Sequence, residues 1–552
     1  MLLYKNFCNE TFNENCTLKS FELKYDDNYN FGYDVVDVLG KKNPDGTALV
    51  WCNTDGVEKI FTYKEIMELS NKAANVFKEN GIKKGNKVLV ILKRNYEYWY
   101  VAPALHKLGA VLIPATNLLT VDDLKYRINT ADISAAICTP DGTTAEDMLE
   151  AQKLCPQLKT IFVARKDLEG TVNLTNAIEE ASSVLEKVET NVYEPMLIYF
   201  TSGTTGYPKA VIHNHSYTLA HILTARHWQA VKENGLHLTV AETGWAKASW
   251  GKIYGQWLCG SAVMAYDFDK FSPGKLLKIM EKYKVTTFCA PPTVYRYFIK
   301  KGMDKYNLSC LSHVCTAGES LNSSVFSTLF AQTGLTLMEG FGQTETTLML
   351  ANLNNTNSKP GSMGKAVPLY NVQIVNENNE PLPDGEIGEV AVIPPKEGIK
   401  HGIFMGYCGN DELYKKVWRG GIYHTGDTAY RDEDGYFWYV GRTDDLIKTR
   451  GFRVGPFEVE NVLMEHPAVL ECAVTGVPDE LRGQAIKATI SLTQGYEPTK
   501  TLANEIKEFS NKKMASYKWI QYIEFNNEMP KTISGKIRKV ELKENHSEKA
   551  DK

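Results

Sequence analysis

Residues 62–92, "TYKEIMELSNKAANVFKENGIKKGNKVLVIL", decide the fold class of this chain. Thr62 and Glu65 have the spacing of a capping box, in which each side chain satisfies a free backbone N–H at a helix start. Apolar residues then recur at helical spacing up to Gly81, and the run "KVLVIL" is typical of a buried strand. A second amphipathic stretch leads to the strand-like "AVLIPA" at 110–115. This β-α-β order predicts parallel sheets covered by helices.

The pattern changes towards the C-terminus. Short strands between turn signals are predicted at 388–393, "GEVAVI", and at 435–442, "GYFWYVGR". Helix and strand signals restart after Arg442 and indicate a compact unit of about a hundred residues. The predicted fold class is therefore α/β, with a large N-terminal domain of helix-covered sheets plus a β-rich subdomain, and a small, mobile α+β C-terminal domain. We place the domain boundary between residues 1–443 and 444–552.

The composition is ordinary for a soluble globular protein, with 552 residues, 43% hydrophobic and 23% charged. A net charge of −4 gives no reason to expect nucleic acid or an acidic membrane as partner. The 11 cysteines contain no C-x-x-C pair, which disfavours a zinc site or a disulfide scaffold. The N-terminus lacks the features of a signal peptide and is not Arg-rich, and no apolar run is long enough to span a bilayer. We therefore expect a cytoplasmic protein without a membrane span.

A loop rich in Gly, Ser and Thr follows an apolar run at 199–210, "YFTSGTTGYPKA". Glycines allow close backbone approach, and several N–H groups and hydroxyls can then point at one phosphate. Lys209 adds a positive charge. The spacing is not that of a Walker loop, and a solvated linker is the alternative. Phosphate binding is the favoured interpretation.

Six motifs in order resemble those of the adenylate-forming superfamily, which includes acyl-CoA synthetases, firefly luciferase and peptide-synthetase adenylation domains. They are "TSGTTGYPKA" (201–210), "TAGESL" (316–321), "EGFGQTET" (339–346), "YHTGDTAY" (423–430), "GRTDDLIKTRGFRVGPFEVE" (441–460) and "PKTISGKIRK" (530–539). The resemblance covers nearly the whole chain from about residue 30. Within the superfamily, "GWAKASWGKIYGQW" (244–257) is most similar to medium-chain acyl-CoA synthetases and their acetyl-CoA synthetase relatives.

The resemblance implies a two-step reaction that uses ATP, Mg²⁺ and coenzyme A. Lys536 would span the carboxylate and the α-phosphate, Thr344 would donate to the α-phosphate, and Glu345 would hold Mg²⁺. Lys531, Lys539 and Lys543 are expected to be solvated. The residues that the resemblance assigns to ATP and AMP are Thr201, Ser202, Gly203, Thr204, Thr205, Gly206, Lys209, Gly318, Glu319, Ser320, Glu339, Gly340, Phe341, Gly342, Gln343, Asp427 and Arg442.

The same resemblance implies a hinge at Asp444 and a coenzyme A path past Gly451 and Arg453. Acyl-pocket residues would be His215, Trp245, Trp250 and Gly342. Acetyl-CoA synthetases carry a tryptophan at the position of Gly342, so the glycine predicts an open tunnel for acids longer than acetate. We accordingly expect Gly342→Trp to shift preference towards acetate or propionate. His213 and His215 alternate along a strand without a third ligand, which favours packing or pocket-wall roles over a metal site.

The expected substrate is a medium-chain or branched-chain fatty acid, bound by a monomer or homodimer. An aryl-CoA ligase for benzoate-like acids would use the same machinery, and a luciferase-like oxygenase shares the phosphate motifs. A non-catalytic nucleotide-binding scaffold is the alternative from another class, and the presence of both Glu345 and Lys536 argues against it. An amino acid is disfavoured because 244–257 offers no carboxylate for its ammonium group.

Overall fold

The computed structural model describes residues 1–201, 208–318, 323–395, 401–450, 452–532 and 536–543, with the side chains of residues 323, 324 and 453 not included. Its strands, in chain order, are β1 Cys8–Phe12, β2 Leu18–Leu23, β3 Thr47–Asn53, β4 Glu58–Thr62, β5 Lys87–Ile91, β6 Val111–Pro114, β7 Ala135–Cys138, β8 Thr160–Val163, β9 Val172–Asn173, β10 Pro195–Thr201, β11 Lys209–Asn214, β12 Leu236–Thr239, β13 Ala262–Asp267, β14 Thr287–Cys289, β15 His313–Ala317, β16 Leu337–Gly342, β17 Leu348–Ala351, β18 Lys365–Ala366, β19 Val372–Val375, β20 Gly388–Val392, β21 Gly406–Tyr407, β22 Tyr423–Arg431, β23 Phe437–Arg442, β24 Ile447–Thr449, β25 Phe452–Val454, β26 Val469–Asp479, β27 Gly483–Leu492 and β28 Tyr522–Phe525.

The α-helices connect and cover these strands. They are α1 Val38–Lys42, α2 Tyr63–Glu79, α3 Tyr98–Lys107, α4 Val121–Ala131, α5 Thr144–Leu154, α6 Leu174–Glu180, α7 Tyr217–Leu223, α8 Lys247–Gly251, α9 Tyr254–Leu258, α10 Pro273–Lys282, α11 Pro292–Lys301, α12 Ser323–Thr333, α13 Asp411–Val417, α14 Pro456–Leu463 and α15 Lys500–Lys512. None of the described helices combines the length and apolar character that crossing a membrane requires.

Helix α2 begins as the sequence predicts. The Thr62 hydroxyl accepts from the Glu65 backbone N–H at 3.2 Å, and the Thr62 N–H donates to the Glu65 carboxylate at 2.7 Å. Ile66, Ala73 and Phe77 are fully buried on one face of the helix. The predicted capping box and apolar face are therefore confirmed, and strand β5 follows the helix as expected.

Two large, mainly parallel sheets form the N-terminal part of the molecule. One has the strand order β21-β11-β10-β6-β5-β7-β8-β9, and the other has the order β18-β17-β16-β15-β14-β12-β13-β3-β4. A continuous apolar core contains residues of both sheets and of helices α2, α3, α7 and α9, with Trp99, Trp228 and Trp257 fully buried. The sheets bring β10–β11 and β15–β16 to the region where the predicted nucleotide motifs lie.

The remaining strands form two smaller sheets. The antiparallel sheet β19-β20-β22-β23 is the β-rich subdomain, and the sheet β25-β24-β27-β26, extended by β28, packs with α14 and α15 around its own core. The predicted α/β fold class, with a β-rich subdomain and a small α+β C-terminal unit, is thus confirmed. Residues 443–446 join β23 to β24 and include the predicted domain boundary.

Candidate active site

The hairpin formed by β10 and β11 carries the predicted phosphate loop. Thr201, the last residue of β10, pairs with Lys209, the first residue of β11, so the two strands fix both ends of the loop between them. The Lys209 ammonium nitrogen lies 5.9 Å from the centre of the Tyr407 ring. The predicted phosphate ligands of the loop itself lie outside the described residues: Ser202, Gly203, Thr204, Thr205 and Gly206.

The turn after β16 positions the predicted Thr344–Glu345 pair. His213 Nε2 donates to the carbonyl oxygen of Thr344 at 2.7 Å, and the Phe404 N–H donates to the carbonyl oxygen of Glu345 at 2.8 Å. Burial lowers the pKa of His213 to about 4, so its imidazole is neutral near pH 7 and its proton belongs on Nε2. The backbone of this turn is therefore held from two sides, by β11 and by the segment before β21.

A second hydrogen-bond network joins this turn to the β-rich subdomain. Gln343 Nε2 donates to Asp427 Oδ2 at 2.5 Å and to the Thr425 carbonyl oxygen at 2.8 Å. The Tyr423 hydroxyl donates to Gln343 Oε1 at 2.7 Å, and the Tyr439 hydroxyl donates to Asp427 Oδ1 at 3.3 Å. Gln343 therefore couples the β16 turn to the Thr-Gly-Asp turn of β22.

Opposing electrostatic effects act on Asp427. Its side chain is only 8% exposed, and burial raises its pKa, while Arg442, with Nη1 3.3 Å from Oδ2, acts in the opposite direction. Burial alone would lower the pKa of Arg442, but the carboxylates of Asp427 and Asp444 outweigh it and raise that pKa. Asp444 Oδ1 lies 3.7 Å from Arg442 Nε, so the predicted hinge residue contacts the same guanidinium.

The predicted catalytic lysine lies near this network. Burial is the largest effect on the pKa of Asp427 and raises it, and the charge of Lys536 is a small effect in the opposite direction, so the lysine lies within electrostatic range of the carboxylate. The Thr532 N–H donates to the Lys536 carbonyl oxygen at 2.8 Å, and the Lys536 N–H donates to the Thr532 hydroxyl at 3.2 Å. The Lys536 side chain is exposed.

The three neighbouring lysines all have carboxylate partners. Lys531 pairs with Glu471 at 2.8 Å, Lys539 with Glu460 at 2.7 Å, and Lys543 with Asp445 at 3.2 Å. Lys531 is exposed, as predicted, whereas Lys539 and Lys543 are half-buried beside carboxylates of α14 and of the connection between β23 and β24. These pairs anchor the segment on both sides of Lys536.

The predicted adenine segment begins where β15 ends. Gly318 has a φ of +94°, and Lys247 Nζ donates to the carbonyl oxygen of the preceding Ala317 at 2.8 Å. A β-carbon at Gly318 would collide with that lysine, so this position requires glycine in this arrangement. Of the other predicted residues here, Glu319 and Ser320 lie outside the described residues.

Strand β16 carries the remaining predicted nucleotide residues beside β15. Glu339 pairs with Thr316 and is buried, and Gly340 pairs with Ala317. A β-carbon at Gly340 would lie 2.7 Å from Cε2 of Trp228, so the glycine lets the indole ring pack against the strand. Phe341 is half-buried, with its ring 6.5 Å from that of Tyr439.

The space beside Gly342 is occupied, which differs from the expected open tunnel. A β-carbon at this position would lie 2.6 Å from Cη2 of Trp250 and would collide with the carbonyl oxygen of Thr347. Trp250 is held there by helix α8, and Trp245 lies half-buried in the turn before that helix. A tryptophan thus lies beside Gly342 after all, but it comes from helix α8 and not from β16.

A band of buried aromatic rings continues inward from this point. Neighbouring ring centres are 4.0 Å apart for His213 and Tyr217, 4.6 Å for Tyr217 and His221, and 6.2 Å for His221 and Tyr254. The band ends at His106 and His215, whose ring centres are 6.3 Å apart. Within the described part of the chain, both ring nitrogens of His215 and Nε2 of His221 lack a hydrogen-bond partner. His215, a predicted pocket residue, is therefore a buried imidazole whose ring nitrogens are free to bind a polar group.

Sequence reasoning missed several members of this site. Tyr217 and His221 have i, i+4 spacing in α7, a signal that places both on one helix face. Tyr407 and Tyr423 carry no comparable signal, because strand pairing alone brings them to the β16 turn. Of the predicted coenzyme A residues, Gly451 lies outside the described residues, and Arg453 is described only through its backbone on β25.

The carboxylates present fit a nucleotide-bound Mg²⁺ ion. Over the described ranges, no group of three or more His, Cys, Asp or Glu side chains could hold a metal ion. Magnesium in nucleotide sites typically needs one or two carboxylates, with phosphate oxygens and waters completing the shell. Glu345, half-buried in the β16 turn, supplies one such group.

Comparisons with known proteins agree on one family. The family model described as AMP-binding enzyme matches residues 37–408, and the model for the AMP-binding enzyme C-terminal domain matches residues 458–536. The chain is 39% identical over 529 residues to the acyl-coenzyme A synthetase ACSM4, mitochondrial, of Homo sapiens, covering 94% of this chain and 90% of that protein.

Two further similarities bear on the acid. The chain is 40% identical over 529 residues to 4-hydroxybutyrate–CoA ligase 1 of Metallosphaera sedula, with 95% and 92% of the two chains covered. The crystal structure of the anthranilate CoA ligase AuaEII in complex with anthranoyl-AMP superimposes with a TM-score of 0.86 at 27% identity, covering 96% of this chain and 99% of that one.

Proposed function

This chain belongs to the AMP-binding enzyme family, and we propose that it is an AMP-forming acid–thiol ligase that converts a carboxylic acid to its coenzyme A thioester. In the first step a carboxylate oxygen attacks the α-phosphorus of ATP, and pyrophosphate leaves. In the second step the thiol of coenzyme A attacks the acyl carbonyl, and AMP leaves. The observation that carries the proposal is the convergence of Glu345, Gln343, Asp427, Arg442 and Lys536 at one site.

Adenylation joins two anions, so the protein must supply positive charge and fixed geometry. Lys536 is the expected source of that charge between the carboxylate and the α-phosphate, and its approach to Asp427 supports this role. The Thr344 hydroxyl would donate to the α-phosphate, since its backbone is held by His213. Mg²⁺, bound by Glu345 and phosphate oxygens, would neutralise charge on the leaving pyrophosphate.

Asp427 is the proposed ribose ligand. Oδ2 already faces Gln343 and Arg442, whereas Oδ1 accepts only from Tyr439 among the described residues and keeps a second lone pair for a ribose hydroxyl. Arg442 keeps this buried carboxylate charged and is itself held by the Thr425 carbonyl oxygen at 3.0 Å. The nucleotide would therefore lie between the β22 turn and the β16 turn.

Thioester formation requires coenzyme A to reach the acyl-adenylate after Lys536 has acted. We propose that rotation at Asp444 moves Lys536 away and brings the strand β24–β25 region, with Gly451 and Arg453, to the same site. The contact of Asp444 with Arg442 at 3.7 Å supports this, because domain rotation would break a weak and partly exposed ion pair.

The acid is proposed to be of short to medium length or branched. Trp250 beside Gly342 would limit how far a straight acyl chain can extend. A branched acid of the same carbon count is shorter and would reach less far towards Trp250. Similarity to an acyl-coenzyme A synthetase supports a fatty acid. An acid with a hydroxyl or another polar substituent is the second candidate, because the unpartnered nitrogens of His215 and His221 would gain hydrogen bonds from it.

The relatives include proteins of that second kind. One is a 4-hydroxybutyrate–CoA ligase, and one protein of similar structure is an anthranilate CoA ligase. A site that hydrogen-bonds a substrate hydroxyl can reject the analogue without it by about 10⁴ or more, whereas an apolar pocket discriminates by far less. Matched pairs such as 4-hydroxybutyrate and pentanoate therefore separate the two candidates.

Pyrophosphate release, measured with a panel of acids in the presence and absence of coenzyme A, tests the function. Acid-dependent release that yields AMP and, with coenzyme A, an acyl thioester is the expected result. If a folded, ATP-binding protein shows no acid-dependent pyrophosphate release, the alternative of a non-catalytic nucleotide-binding scaffold would be supported. Light emission or oxygen uptake with the acyl-adenylate would indicate a luciferase-like oxygenase.

The cellular location and the oligomeric state are also proposed. We propose that the enzyme acts in the cytoplasm, although the name of the human relative describes it as mitochondrial. Fractionation of the source cells would test the location. We also propose a monomer or a homodimer, which sedimentation of the purified protein would distinguish.

A further inference from the structure

Tyr407 contacts both the predicted phosphate ligand Lys209 and the proposed metal ligand Glu345. It lies on the edge strand β21, whose register pairs Tyr407 with Val211 and Gly406 with Ile212 on β11. Strand β11 begins at Lys209, next to the phosphate loop. The pairing therefore fixes Tyr407 beside Lys209 while the ring of Tyr407 is only 4% exposed.

The hydroxyl group of Tyr407 acts on the proposed metal ligand. It donates a hydrogen bond to Glu345 Oε1 at 2.9 Å. The phenol is the donor in this bond, because a carboxylate oxygen can only accept. The bond leaves the second oxygen of Glu345 and further lone pairs available for Mg²⁺.

The ring of Tyr407 acts on the proposed phosphate ligand. Lys209 Nζ lies 5.9 Å from the ring centre, within the range of a cation–π interaction. Phe404 packs against the same ring, with its centre 4.9 Å away, and prevents the ring from turning. Tyr407 thus contacts a cation through its face and a carboxylate through its hydroxyl.

We propose that Tyr407 is a positioning residue for adenylation, which orients Glu345 towards Mg²⁺ and keeps Lys209 from forming an ion pair with Glu345. An ion pair between these two side chains would neutralise both and withdraw them from the nucleotide. The separation preserves a carboxylate for the metal and an ammonium group for the phosphates. This inference rests on the proposed function, since it assumes that Glu345 and Lys209 serve ATP.

The hydroxyl and the ring are tested by two variants. Tyr407→Phe removes the hydrogen bond to Glu345 and keeps the ring, so the Mg²⁺ concentration for half-maximal pyrophosphate release should rise about 10-fold, as for a lost hydrogen bond to a charged group. The KM for ATP at saturating Mg²⁺ should change much less. Tyr407→Leu also removes the ring face, so the KM for ATP should rise as well.

Tyr414→Phe is the matched control. Tyr414 packs against the same Phe404, with ring centres 5.4 Å apart, and is half-buried on α13. Removing the Tyr414 hydroxyl should leave the Mg²⁺ dependence of pyrophosphate release unchanged. Half-saturation does not depend on how much of a preparation is folded, so even a partly unfolded Tyr407→Phe variant gives a result.

The outcomes separate this inference from the proposed function. If the wild-type protein shows no acid-dependent pyrophosphate release, the proposed function fails. If the wild-type protein is active and Tyr407→Phe has the wild-type Mg²⁺ half-saturation, the positioning role is overturned. A Mg²⁺ curve displaced by Tyr407→Phe and not by Tyr414→Phe would support it.

Discussion

The indole ring of Trp250 lies against Gly342, with Cη2 2.6 Å from the place where a β-carbon would stand. The two residues are far apart in sequence, yet they meet where the acyl group is expected. Gly342, at the end of β16, and Trp250, on helix α8, together form one side of the expected acyl site. Chain-length preference should therefore depend on Trp250 at least as much as on Gly342.

Trp250→Ala is expected to admit longer acids. Each additional methylene buried in the vacated space is worth about 0.8 kcal/mol, so kcat/KM should gain about fourfold per carbon until the space is filled. A kcat/KM series over straight-chain acids measures this. Trp519→Ala, at an exposed position in the C-terminal domain, is the control and should reproduce the wild-type series. An unchanged series for Trp250→Ala would show that the indole does not limit the acyl chain.

Gly342→Ala should destabilise the protein rather than change its preference. The new methyl group would collide with the Thr347 carbonyl oxygen and approach Trp250, and overpacking of this kind costs about 1–3 kcal/mol of unfolding free energy. Gly342→Trp should be worse, so the shift towards acetate that the sequence alone predicts is not expected. Urea unfolding of the alanine variant tests this. A variant as stable as wild type would mean that the β16 turn can move.

Lys536→Ala should slow adenylation about 10²–10³-fold, which is the usual cost of losing one transition-state charge stabiliser. Thioester formation from supplied acyl-AMP should fall much less, because that step no longer needs charge between the carboxylate and the α-phosphate. Single-turnover assays of the two half-reactions measure the difference. Lys531→Ala removes a lysine of the same segment that pairs with Glu471, and it should leave both rates near wild type. Equal losses in both half-reactions of Lys536→Ala would withdraw the assignment.

Acid should destabilise the fold through its buried histidines. Burial lowers the pKa of His213 and of His215 from 6.5 to about 4, so the unfolded chain gains protons first as pH falls. Each histidine then costs of the order of 3 kcal/mol of unfolding free energy, lost between about pH 6.5 and pH 4. Urea unfolding at several pH values should show His215→Gln losing less stability over this window than wild type. Parallel curves for the two proteins would contradict the assignment to His215.

Local sequence patterns predicted the fold well where neighbours in sequence are neighbours in space. The capping box at Thr62 and the buried strand after Gly81 depend on contacts within a few residues, and both are present. The expectation of solvated side chains missed the partners of Lys539 and Lys543, because Glu460 and Asp445 come from other elements. The sequence did not predict that Trp250 lies against Gly342, because that tryptophan comes from another helix.

By itself, the sequence determined the α/β class, the order of its domains and the motifs that identify an adenylate-forming enzyme. These depend on short-range periodicity, turn chemistry and residue types at fixed spacing. Only the tertiary structure decided that Trp250 stands beside Gly342, that Tyr407 contacts both Lys209 and Glu345, and that Gln343 binds Asp427. Strand pairing and helix packing set these contacts, since they bring together side chains whose separation along the chain carries no local signal.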